Sequence, residues 1–137
     1  MKRDAAMDKA GTVTNTVLVV EAEPAIAAAC ARVLGREGYR VEVVVDGWEA
    51  VDVLSKRSYA LTILDMRTPR MNGREVYQYL LERHPEQAEH VVFTTGDLLD
   101  EDLRLFLEST GRPFLSKPFG SEELRAIVRQ TMQEVRK

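Results

Sequence analysis

The sequence predicts an α/β fold, a five-stranded parallel sheet with helices on both faces. Two observations carry this. Short apolar runs alternate strictly with stretches of helical periodicity, five times along the chain. The runs themselves are mostly continuous and rich in Val, Ile and Leu, as in strands covered on both sides. A third observation bears on function: several of these runs end abruptly in a carboxylate, a hydroxyl or a lysine.

The first strand is expected over residues 17–21 (VLVVE). Pro24 suits the first turn of the following helix, with Glu23 at the favourable end of its dipole. Ile26, Cys30, Val33 and Leu34 recur at helical spacing, and Gly38 is placed to end the helix. Residues 40–45 (RVEVVV) form the second strand. The helix after it, within DGWEAVDVLSKR, turns Ala50, Val51 and Leu54 to one face. Residues 60–65 (ALTILD) are the third strand. In the helix GREVYQYLLER, Val76, Tyr77 and Leu80 face inward. Residues 90–95 (HVVFTT) are the fourth strand, and DEDLRLFLEST is the fourth helix, with Gly111 as its stop. RPFLS is a short fifth strand. Ser121 is placed to cap the last helix, with Glu122 and Glu123 in its first turn and Leu124, Ile127, Val128 and Met132 as its buried stripe.

Right-handed crossovers leave few topologies for five such units, and a common one is the flavodoxin-like order 2-1-3-4-5. Its ligand crevice lies beyond the carboxyl ends of strands 1 and 3, where the sheet order reverses. Those strands end in Glu21 and Asp65, strand 4 ends in Thr94 and Thr95, and strand 5 leads to Lys117. Two carboxylates, a hydroxyl and an ammonium are thereby expected on one rim. Unit charges about 4 Å apart interact by roughly 4 kcal/mol at an effective dielectric near 20, so clustered acids favour a cation. Mg²⁺ suits one or two carboxylates completed by water and phosphate oxygens. An aspartate beside it can act as a nucleophile on phosphorus, and a lysine and a hydroxyl can bind phosphoryl oxygens.

The composition narrows the remaining choices. A chain of 137 residues has room for one ordinary domain, here residues 16–137, preceded by a polar tail or linker over residues 1–15. Apolar residues at 45% and charged residues at 30% describe a globular protein, and a net charge of -3 creates no field that favours nucleic acid or an anionic membrane. No apolar run approaches the roughly 20 residues that cross a bilayer, and the N-terminus lacks a secretory core. The single cysteine, Cys30, allows no internal disulfide, in keeping with a cytoplasmic location, and reads as a small core residue. His84 and His90 have no metal-ligand spacing, and Trp48 and the tyrosines read as packing.

Four segments in order resemble the receiver domain of two-component response regulators, over about residues 16–135. VLVVEAEP resembles its acidic-pair segment. ILDMRTPRMNG resembles its phosphoacceptor segment, with Pro69 four and Gly73 eight residues after Asp65. VVFTTG and FLSKPF resemble its strand 4 and lysine signatures, and GRPFLSKPF is also similar to receivers at the C-terminal end of hybrid sensor kinases. The resemblance implies a signalling domain rather than an enzyme, capable at most of Mg²⁺-dependent self-phosphorylation and autodephosphorylation. It implies Asp65 as phosphoacceptor, served by a histidine kinase or histidine phosphotransfer protein. It also implies Glu21, Asp65 and the Arg67 carbonyl as the Mg²⁺ site, Thr95 and Lys117 as phosphate ligands, Phe114 as the aromatic switch residue, and a cis Lys117–Pro118 bond. Output is expected through a protein partner or a homodimer, on the face of the fourth helix, fifth strand and fifth helix, where Leu98 and Leu99 lie. No nucleic-acid or membrane partner is expected, since only Arg136 and Lys137 follow the last helix.

The departure is Ala22, where the family has an aspartate that binds metal directly. The acidic pair is thereby degenerate, and Mg²⁺ binding is expected to be weak. Glu21 and Glu23 flank the alanine, but Glu23 would have to bend back from the start of the first helix to substitute. The rival function is a receiver-like docking module that works without phosphorylation. A flavin-binding protein of the same topology fits poorly, because strand 1 leads into acids where phosphate binding wants Gly, Ser or Thr. A hydrolytic metalloenzyme lacks a His/Cys ligand set.

Overall fold

The computed structural model describes residues 6–7 and 13–135, with side chains from residue 15. The expectation of an N-terminal tail falls largely outside these residues. Of that region, Ala6–Met7 pairs antiparallel with Val13–Thr14. The rest alternates as expected: β1 (Thr16–Val20), α1 (Pro24–Arg36), β2 (Arg40–Val44), α2 (Gly47–Lys56), β3 (Leu61–Asp65), α3 (Gly73–Arg83), β4 (Val91–Thr95), α4 (Glu101–Thr110), β5 (Phe114–Ser116) and α5 (Ser121–Val135). All neighbouring strands are parallel, in the order β2-β1-β3-β4-β5.

The strand period of two divides the core between the faces. Leu18, Val20, Leu64, Val91 and Phe93 pack with Ala50, Leu54, Val76, Leu80 and Leu107 from α2, α3 and α4. Val17, Val19, Ile63 and Val92 pack on the other side with Cys30, Val33, Leu34, Leu124, Val128 and Met132 from α1 and α5. On the first face Tyr77, Phe93 and Phe106 meet edge-on, with centroids 5.1–6.3 Å apart. Cys30 is buried as expected, and burial pushes its thiol up to about 11.

Local chemistry sets the element ends. Asp46 and Asp100 accept the Glu49 and Leu103 amides and so cap α2 and α4. Asn72 and Glu75 close a reciprocal capping box at the start of α3. Gly111 ends α4 with φ 68°, a left-handed conformation that costs glycine nothing. Three expectations need correction. Glu21 lies one residue beyond β1, although its amide still donates to the Val44 carbonyl of β2 at 3.0 Å. The fifth strand covers only 114–116, because Pro113 has no amide to donate. Ser121 is the first residue of α5 rather than its cap; the Gly120 amide just before it bonds instead to Glu123 Oε1 at 2.9 Å. A one-turn helix, Pro85–Ala88, also intervenes before β4, and its buried Gln87 accepts the Tyr59 amide.

Candidate functional site

The sheet register brings the polar strand ends level. Val20 pairs with Leu64, Asp65 with Thr94, and Thr95 with Ser116. Glu21 and Asp65 therefore leave the adjacent strands β1 and β3, and Lys117 leaves β5, across β4 from Asp65, at the same height. Lys117 is held there by its main chain, whose amide donates to the Thr95 carbonyl at 2.7 Å, and its bond to Pro118 is cis.

Lys117 Nζ lies 2.7 Å from Glu21 Oε1 and 3.1 Å from Asp65 Oδ2. The other carboxylate oxygens are also engaged: Glu21 Oε2 accepts the Glu23 amide at 3.1 Å, and Asp65 Oδ1 accepts the Arg67 amide at 3.4 Å. Both acids are nearly buried, at 3% and 5% exposure. Burial raises the Glu21 pKa above the ordinary carboxylate value, although the Lys117 hydrogen bond opposes the shift. Burial also works against the Lys117 ammonium, but the hydrogen bonds and charges of Glu21 and Asp65 outweigh it and hold its pKa above the usual lysine value.

These residues open on a cleft of about 160 Å³ lined by Glu21, Ala22, Glu23, Asp65, Arg67, Gly96 and Lys117. Glu21 and Asp65 supply hard oxygen donors in the number that Mg²⁺ uses alongside water and phosphate oxygens, so the donor set fits that ion. Among the described residues no three His, Cys, Asp or Glu side chains are gathered as a ready metal site.

The floor of the cleft depends on a close approach. A Cβ on Gly73 would lie 2.6 Å from the Asp65 carbonyl oxygen, so only glycine lets α3 start against the end of β3. The intervening loop is tied to α2. Arg70, at φ 65°, pairs with Asp46 at 2.7 Å and lies over the Trp48 ring, 4.6 Å from its centroid. Trp48 is therefore not core packing; it is 58% exposed and stacks on this loop.

Of the residues singled out from sequence, Glu21, Asp65, Arg67 and Lys117 meet at the cleft together with Ala22. Thr95 lies just behind its wall, fully buried, and its Oγ1 accepts the Asp97 amide at 3.2 Å. Phe114 is apart from the cleft, half-buried against the α2–α4 side of the core. Sequence reasoning missed the ion pair between Arg67 and Asp97, 2.7 Å, which joins two loops at the cleft. It also gave no contact between Glu23 and Lys117. The chain bends at Ala22, and Glu23 Oε1 comes within 3.9 Å of Lys117 Nζ. Pro24 was the available signal, since it pushes the preceding residue into extended backbone.

The family described as response regulator receiver domain matches residues 17–129. Transcriptional regulatory protein CreB of Escherichia coli K12 is 35% identical over 123 residues, which cover 90% of this chain and 53% of CreB. The chain thus spans about half the length of that relative. Among solved structures, the receiver domain of a signal transduction histidine kinase from Syntrophus aciditrophicus superposes with a TM-score of 0.80 at 28% identity, covering 90% of this chain and 94% of that one. The receiver domain of a sensor histidine kinase from Pseudomonas aeruginosa PAO1 has a TM-score of 0.76 at 25% identity, covering 88% and 99%. Its structure has a magnesium ion coordinated in the active-site cleft.

Proposed function

The chain belongs to the response regulator receiver domain family, and on that premise we propose that it relays signals by accepting a phosphoryl group on Asp65. The observation that carries the reading is the shared ammonium: Lys117 bridges Glu21 and Asp65 inside a polar cleft. In the proposed transfer, an Asp65 carboxylate oxygen attacks the phosphorus of a phosphohistidine on a kinase or phosphotransfer protein. An O–P bond forms, the P–N bond breaks, and the imidazole keeps the electron pair. Lys117 then exchanges its contact with Asp65 for a phosphoryl oxygen, without leaving the rim.

Glu21, Asp65 and the Arg67 carbonyl would hold Mg²⁺, which supplies charge neutralisation for the phosphoryl oxygens. Ala22 leaves this set one carboxylate short, so metal binding is weaker than with a complete acidic pair. The Thr95 hydroxyl accepts the Asp97 amide through a lone pair and would donate its own proton to the phosphoryl group. It would thereby link the site to the loop before α4, where Leu99 is 97% exposed. A protein partner or a second copy reading the face of α4, β5 and α5 would sense the change. Phe114, under that face, is the aromatic residue expected to respond. No described helix is long and apolar enough to cross a membrane, and we place the relay in the cytoplasm.

A beryllium fluoride adduct, which mimics the phosphoryl group, tests this. With Mg²⁺ it is expected to shift the amide resonances of Thr95, Gly96 and Lys117 in the natural chain and not in Asp65→Asn. Unchanged spectra at millimolar Mg²⁺ would instead support a docking module that works without phosphorylation.

A further inference from the structure

The geometry points to Glu23 as the carboxylate that replaces, for the cation, the one missing at Ala22. The inference rests on the proposed Mg²⁺ site and concerns a residue to which that reading gives no role. Glu23 lies at the entrance to α1 without serving as its side-chain cap. Its amide is pinned by Glu21 Oε2 at 3.1 Å, and Pro24 holds its backbone extended, at φ -87° and ψ 113°. The bend at Ala22 then brings the side chains of 21 and 23 to the same cleft. Glu23 Oε1 is 3.9 Å from Lys117 Nζ, the ammonium that already touches both buried acids.

The charge balance gives this position a consequence. With Arg67 balanced by Asp97, Glu21, Asp65 and Lys117 together carry one net negative charge, which is little attraction for a divalent ion. Glu23 raises it to two. The side chain is 68% exposed, so it can rotate toward the cleft mouth and take part directly or through a metal-bound water. Alanine at 22 assists by leaving no competing side chain between the two glutamates.

The test is Mg²⁺ binding by isothermal titration calorimetry, without any phosphodonor, on the natural chain, Glu23→Gln, Ala22→Asp and the double variant. Glu23→Gln is expected to weaken Mg²⁺ binding about tenfold, the lower end for residues that support metal ligands. With aspartate at 22 the same change should cost less than about threefold, because the restored acid takes over. Unchanged melting temperatures would show that the variants fold. An equal loss in both backgrounds, little loss in either, or no Mg²⁺ binding by the natural chain would overturn the assignment. Phosphorylation of Asp65 is measured separately, so a chain that accepts phosphate yet ignores Glu23→Gln would refute only this inference.

Discussion

Lys117→Met removes the shared cation from a nearly buried pair of acids. Nζ is 2.7 Å from Glu21 and 3.1 Å from Asp65. The two oxygens therefore lie within about 6 Å of each other, where unit charges repel by roughly 3 kcal/mol at an effective dielectric near 20. Breaking a buried pair by losing one partner costs about 3–5 kcal/mol. Here the cleft admits water and Glu21 can take up a proton, which lowers the expectation to about 2–4 kcal/mol at pH 8. The pH dependence follows from Glu21. Its folded pKa is already raised by burial, and the loss of Lys117 raises it further. Above that value the variant carries the full penalty; as pH falls through it, protonation removes the repulsion. The difference in urea unfolding free energy between Lys117→Met and the natural chain should therefore be largest near pH 8 and shrink toward pH 5. Added Mg²⁺ should return more stability to the variant than to the natural chain, because the ion binds the folded site and can take the place of the ammonium. A difference below about 1 kcal/mol, the ordinary yield of a surface ion pair, or one that does not change with pH, would refute the reasoning.

Gly73→Ala is expected to destabilise by about 1–3 kcal/mol, as overpacking does, because the new Cβ meets the Asp65 carbonyl at 2.6 Å. The same clash should displace Asp65, so the variant's Mg²⁺ affinity should fall along with its urea midpoint. His90, whose pKa burial lowers although the nearby Tyr59 main chain works the other way, supplies a separate acid sensitivity. The unfolded chain takes up this proton near pH 6.5 and the folded chain only lower, so stability present above that value is lost as pH falls toward the folded pKa. His90→Gln should lose less stability than the natural chain when unfolding is compared at about pH 7 and pH 5.

The parts of this fold that read directly from sequence are those governed by short-range pattern. The apolar runs at 17–20, 61–64 and 91–93 are all buried strand. Asp65 and Lys117, 52 residues apart, could be placed together because parallel topology forces those strand ends to one edge. Side-chain reach and loop conformation were less legible. Glu23 could be judged only once the bend at Ala22 was known. The Arg67–Asp97 pair spans 30 residues between two loops that carry no periodic signal. Trp48 read as packing, and its packing partner is Arg70, which lies over its ring on the outside of the fold. Ser121 lost its expected capping role because α5 begins at that residue, which leaves Gly120 at the cap position, and Glu123 accepts the Gly120 amide.

The most direct measurement is the intact mass of the chain after incubation with a small phosphodonor, with and without Mg²⁺. A gain of one phosphoryl group that needs the metal, is reversed by hydroxylamine and is lost in Asp65→Asn is the predicted result. A chain that gains no mass at saturating Mg²⁺, or that gains it equally in Asp65→Asn, would contradict the account.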